Sequence, residues 1–158
     1  MKVALPTALL VFLLDQLIKL WALAHLSPGA PVPVFDDIFH LTLVFNPGVA
    51  FGFLSTVVPA WRWLVGVLSL VALAVLGSLA VRLLPDGNWL TAAALGLIFG
   101  GAVGNLLDRV RFGAVVDFLD VHWRGYHWPA FNLADSGITV GVGVLVLHLI
   151  VLRRRGAS

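Results

Sequence analysis

The sequence predicts an all-α polytopic membrane protein: four transmembrane helices with a small extracytoplasmic β-sheet or hairpin above a polar site. Three observations carry this expectation. Of 158 residues 60% are hydrophobic and only 11% charged, with a mean hydropathy of +1.01, a balance that water-soluble domains of this length do not keep. Four stretches are long and apolar enough to cross a hydrocarbon core, which takes roughly 20 helical residues. Most polar residues inside or beside those stretches gather at one end of them.

The first span runs from about residue 3 to 26. Lys2, an apolar run to Leu14 and the Ala22-Leu23-Ala24 triplet have the look of a secretory leader, but Asp15 and Lys19 interrupt that pattern and suit a retained helix with a polar face. Ser27-Pro28-Gly29, Pro31 and Pro33 then end the helix. Aromatic and β-branched residues from Phe39 to Phe45, the turn signal Asn46-Pro47-Gly48 and the apolar Val49 to Phe53 predict a small hairpin or sheet on the outer surface. Trp61 and Trp63 flank Arg62 at the start of the second span, about 64–81, as interfacial anchors do. Pro85-Asp86-Gly87 turns the chain into the third span, about 89–107. Glycines at 96, 100 and 104 on that span, and at 137 and 141 on the fourth (about 133–152), leave stripes against which a neighbouring helix packs closely. The second outer connection ends in Trp123, Tyr126, Trp128 and Phe131, residues suited to the headgroup level. The whole of 1–158 reads as one membrane-embedded domain.

Absence of cysteine excludes thiol nucleophiles, disulfides and thiolate metal sites. The net charge is +2 and the pI about 9.7, but the basic residues are thinly spread apart from Arg153 to Arg155, so no nucleic-acid partner is expected. Lys2, Arg82 and that arginine cluster share one side, whereas residues 27–57 contain no Lys or Arg. The positive-inside rule then places both termini in the cytoplasm, with Arg109, Arg111 and Arg124 running against it.

Polar groups in membrane spans are costly and are functional candidates by default. Asn105, Asp108, Arg109, Asp117, Asn132 and Asp135, with Asn46 in the first outer connection, converge on the outer leaflet. Two carboxyls held close in a poorly hydrated site share one proton. The ionised member can then take a proton from water while the other hydrogen-bonds a scissile carbonyl, and amide hydrolysis on this plan uses no metal. Spacing alone leaves Asp108, Asp117, Asp120 and Asp135 all open for such a pair. Asp15 and Lys19, four residues apart, fall on one helix face and read as a structural polar pair. Asp120, His122 and His127 lack helix-fixed metal-ligand spacing and read as interfacial or solvated; His148 reads as a core histidine.

Five segments in register resemble the lipoprotein signal peptidase (signal peptidase II) family: residues 15–19 (DQLIK), 45–52 (FNPGVAFG), 100–109 (GGAVGNLLDR), 115–118 (VVDF) and 131–135 (FNLAD). Val49 stands where members often carry alanine, which narrows a pocket slightly and touches no catalytic role. The resemblance implies a membrane aspartic endopeptidase with Asp117 and Asp135 as its dyad. Asn46, Gly48, Asn105, Asp108, Arg109 and Asn132 would support the site or position substrate, Arg109 as a fork of donors or, alternatively, in a salt bridge with Asp108 or Asp120. The implied substrate is a diacylglyceryl-modified prolipoprotein, cut on the amino side of the lipid-bearing cysteine. Membrane lipid and a globomycin-type cyclic peptide inhibitor are the implied small partners; no cofactor and a monomer are expected, in the bacterial cytoplasmic (inner) membrane. Two rivals are a small proton-coupled transporter, using Asp15, Asp108 and Asp135 as a proton path, and a non-catalytic membrane assembly factor.

Overall fold

A computed structural model of the chain describes residues 2–48, 60–83 and 88–155. Among the described residues are four helices, α1 (Ala4–His25), α2 (Ala60–Leu83), α3 (Trp89–Phe112) and α4 (Leu133–Arg155), and four strands, β1 (Val32–Phe35), β2 (Phe39–Asn46), β3 (Val115–Trp123) and β4 (Tyr126–His127). By length and composition α1, α3 and the Val65–Arg82 stretch of α2 can cross a membrane, and α4 carries its apolar stretch at Leu133–His148.

The helices are apolar outside and polar within. Leu5, Leu9, Leu10, Leu13, Leu17 and Leu20 of α1 are exposed, while Asp15, Gln16 and Lys19 of the same helix are buried. In water that distribution would be unstable; against hydrocarbon it leaves the apolar face solvated by lipid tails and the polar groups bonded to one another. α3 is the central helix, packed on α1, α4 and α2. Its glycine stripe permits this. A methyl group on Gly100 would run into the backbone of Ala8 in α1, and one on Gly101 into the carbonyl of Ala134 in α4. Asn88 caps the start of α3 by accepting the Thr91 amide at 3.1 Å. Gly113 ends it in the left-handed region, φ +68°, with its N–H on the Arg109 carbonyl.

The strands form one antiparallel sheet in chain order. Its inner face packs Leu43, Val116 and Phe118 against Ala22 and Leu26 at the end of α1, which fixes the sheet at the end of the bundle where the polar residues lie. The expected hairpin or sheet takes the form of a sheet. β2 pairs with β1, through a turn in which Asp37 has φ +64°, and with β3; Val49 to Phe53, the expected second arm beyond Asn46-Pro47-Gly48, lies outside the described residues, as do Pro85 to Gly87. The second outer connection supplies half the sheet. β3 was missed because its first residues, Val115 to Phe118, are buried on both faces and show no alternation. The two-residue Arg124-Gly125 loop, both at positive φ, turns β3 into β4. α3 also extends to Phe112, so Asn105, Asp108 and Arg109 sit within the helix rather than at its end.

Candidate active site

Asp117 sits on β3 opposite Val44 of β2 and is 1% exposed. Beyond β4 the chain returns to β3, where Phe131 exchanges backbone bonds with Leu119 at 2.9 and 3.0 Å. That bridge sets Asn132 beside Asp117. Asn132 then opens α4: its Oδ1 accepts the Asp135 amide at 2.9 Å, and Asp135 Oδ2 accepts the Asn132 amide at 3.4 Å. This reciprocal capping box ties Asp135 to the residue that also bonds Asp117.

Two amides join the carboxylates. Asn132 Nδ2 donates to Asp117 Oδ1 at 2.7 Å and to Asn105 Oδ1 at 3.2 Å. Asn105 Nδ2 donates to Asp135 Oδ1 at 2.7 Å. The second Asp117 oxygen accepts from Asn46 Nδ2 at 3.0 Å. Asn46 holds that orientation because its own Oδ1 takes the Gly48 N–H at 3.0 Å. Gly48 needs to be glycine here: its φ is +94°, and a Cβ would strike Val65 of α2.

Below the carboxylates lies a buried charge cluster. Lys19 Nζ bonds Asp15 Oδ2 at 2.8 Å, Asp108 Oδ2 at 2.7 Å and Asn105 Oδ1 at 2.9 Å, which uses all three ammonium donors. Backbone and amide donors tie the same carboxylates further: Asp15 Oδ1 accepts the Ala134 N–H at 2.9 Å, Asp108 Oδ2 also accepts the Val116 N–H at 3.1 Å, and Asp108 Oδ1 accepts from Gln16 Nε2 at 3.1 Å. α1, α3, β3 and the start of α4 thus meet on one lysine. The Asp15–Lys19 pair forms as expected, joined by Asp108. Gln16 and Arg111, whose Nη1 reaches Gln16 Oε1 at 3.4 Å, were not singled out in the sequence, although a glutamine beside an aspartate in a span is a readable signal.

Neither expected ion pair of Arg109 is present. Asp108 is taken by Lys19, and Asp120 by His127 at 2.9 Å, because β3 carries Asp120 out toward β4. Arg109 donates Nη1 to the Asn105 carbonyl at 3.1 Å, its buried Nε has no partner among the described residues, and its charge lies in the field of Asp135, Asp117 and Asp108.

Burial pushes Asp117 up to about 7; the Asn46 donor opposes this, the neighbouring Asp135 charge adds to it, and Asn132 and Lys19 oppose it. A carboxyl poised near neutrality and joined through two amides to a second carboxyl can exchange protons with water and a bound carbonyl. At the outer end of the sheet His40 and His122 share a contact of 3.1 Å between their Nε2 atoms, and His122 stacks on His127. Among the described residues no group of three or more His, Asp or Glu is arranged to hold a metal ion. Trp123, Tyr126 and Trp128 are exposed beside this cluster, and His148 is half-buried in α4.

A lipid-compatible helical bundle with a buried carboxylate site under a sheet falls in the class of membrane enzymes. Two solved structures titled as bacterial membrane enzymes share its fold. One, determined by the in meso method at 1.9 Å resolution, has a TM-score of 0.80 and 28% identity, over 94% of this chain and 93% of that one. Another, at 2.3 Å, has a TM-score of 0.74 and 30% identity, over 95% and 88%. A family model described as signal peptidase (SPase) II matches residues 7–151. The lipoprotein signal peptidase of Geobacter sulfurreducens is 47% identical over 146 residues, 91% of this chain and 89% of its own. That of Pseudomonas aeruginosa strain UCBPP-PA14 is 45% identical over 150 residues, 94% and 88%. The chain belongs to the signal peptidase II family, and it is a protease.

Proposed function

We propose that this protein is an aspartic endopeptidase that removes the signal peptide from prolipoproteins, with Asp117 and Asp135 as its catalytic dyad. Removal of signal peptides from prolipoproteins is the activity of its family. The observation that carries the dyad is the amide bridge: Asn132 and Asn105 donate to one aspartate each, and Asn132 also donates to Asn105, so both carboxyls are held together with no ion pair of their own among the described residues. One carboxyl takes a proton from water as the water oxygen bonds to the scissile carbonyl carbon. The other hydrogen-bonds the carbonyl oxygen as negative charge develops there. Collapse of the tetrahedral intermediate breaks the C–N bond, and the leaving nitrogen receives the proton taken from water.

The substrate is a prolipoprotein whose cysteine already bears a diacylglyceryl group, cut on the amino side of that cysteine. The exposed apolar faces of α1 and α2 suit lateral arrival of a lipid chain and a signal helix. Four helices cross the bacterial cytoplasmic membrane, both termini face the cytoplasm, and the sheet lies over the dyad at the outer leaflet. Arg109 offers its unused donors to the substrate backbone, and a globomycin-type cyclic peptide would compete for the same space. The chain works as a monomer.

The test is cleavage of a diacylglyceryl-modified prolipoprotein by purified wild type, Asp117→Asn and Asp135→Asn in detergent or lipid, with folding checked by thermal melt. Loss of at least about a hundredfold in rate is expected in both folded variants. Normal cleavage by either one would remove it from the dyad, and an inert wild type would refute the substrate.

A further inference from the structure

Asp117 and Asp135 are not equivalent. Asp135 lies in the first turn of α4, where a helix favours negative charge, and it accepts from the Asn132 backbone N–H as well as from Asn105 Nδ2. Asp117 is on a strand, has no helix end behind it and is almost wholly removed from solvent. The Asn105 amide could in principle face Asp135 with either end. Lys19 and Asn132 decide together: an ammonium carries donors only, and the Asn132 Nδ2 donates to the same atom, so the Asn105 atom 2.9 Å from Lys19 must be the oxygen. The NH2 group is thereby turned to Asp135, where it can only donate.

We propose that Lys19 is a positioning residue for the dyad: through Asn105 it keeps Asp135 the ionised carboxyl that receives the proton of water, while burial on β3 makes Asp117 the carboxyl that holds the proton. In the attack step the O–H bond of water breaks toward Asp135 and the new C–O bond forms at the scissile carbon, while the Asp117 proton hydrogen-bonds the carbonyl oxygen. Asp135 then returns the proton to the leaving nitrogen. Lys19, Asp15, Asp108 and Arg109 are the other charged groups facing the pair. This rests on the dyad reading above and assigns its two roles.

The experiment compares pH–rate profiles of wild type, Lys19→Met and Lys19→Arg on the modified prolipoprotein, with a thermal melt of each. Lys19→Met is expected to lower kcat about tenfold or more with KM little changed, since Lys19 does not reach substrate. Its acidic limb should move to higher pH, because the carboxyl that must be ionised has lost its support; Lys19→Arg, keeping the charge, should bring the limb back. A Lys19→Met enzyme that melts earlier but keeps the wild-type limb would make Lys19 merely structural and overturn the proposal. Should Lys19→Met not fold, infrared difference spectra near neutral pH decide without substrate. A protonated-carboxyl C=O band that disappears in Asp117→Asn and survives in Asp135→Asn is expected; the reverse overturns the proposal. These spectra do not depend on cleavage, so failure of the substrate reading and failure of the proton assignment are told apart.

Discussion

Asn132 has more tasks than any other residue in the site: it caps α4, donates to Asp117 and donates to Asn105. Asn132→Ala therefore removes a helix cap, which alone costs about 0.5–2 kcal/mol, and leaves buried Asp117 short of a donor. A lowered melting temperature together with loss of cleavage is expected, whereas Asn46→Ala, at the partly exposed edge, should reduce cleavage with a smaller effect on melting. Asp117 also makes stability depend on pH. Its folded-state value of about 7 lies above the 3.8 of an ordinary aspartate, so the unfolded chain releases this proton first. The contribution is fully present below pH about 4, declines as pH rises, and is lost once pH passes through about 7. Thermal melts of the wild type should fall across this window, and Asp117→Asn should be flatter over the same range. Asp135, Lys19 and Arg109 also act on this carboxyl, so the comparison is between these two proteins under one set of conditions.

The elements approach one another where side chains are missing. Gly100 and Gly101 sit back to back on α3, the first against α1 and the second against α4. Replacing either with leucine must push apart helices that share the Lys19 cluster and the start of α4. A destabilisation of about 1–3 kcal/mol or more is expected, and cleavage should fall even where the protein still folds. Gly143 has open space at its Cβ position, so Gly143→Ala serves as the control: it should match wild type in melt and activity. The glycine stripes were legible from their four-residue spacing. Which helix each one meets was not, since spacing gives a face but no partner. The sheet shows the opposite balance. β2 was readable from its aromatic and β-branched run, but its pairing with β3 was not, because the two strands lie more than sixty residues apart in the chain.

At the scale of the molecule, orientation can be tested cleanly because the chain contains no cysteine. Single cysteines at Tyr126, which is 85% exposed on the sheet, and at Lys2 should react with a membrane-impermeant thiol reagent from opposite sides in intact cells or spheroplasts. Labelling of position 126 from outside and of position 2 only after lysis is expected; the converse would invert the proposed topology. Of the arginines that run against the positive-inside count, Arg109 is half-buried and donates to the Asn105 carbonyl, whereas Arg111 is exposed and only reaches Gln16. Arg109 is thereby held in the bundle rather than being a free loop charge, and topology depends on loop charges.

The sequence by itself determined that this protein has helices apolar enough for a bilayer and roughly where they run, and it named the polar residues that the fold gathers, because these follow from composition, length and short motifs that are local in the chain. Tertiary structure decided which of them touch. Lys19 met Asp108 and Asn105 across nearly ninety residues, Asp108 was withdrawn from Arg109, and Asp117 was placed on a strand rather than in a loop. Those partnerships come from α3 packing between α1 and α4, and from the Leu119–Phe131 bridge that returns the chain to β3. They are long-range contacts that become favourable only once the apolar helix faces have found lipid and the buried polar groups have no water left to bond.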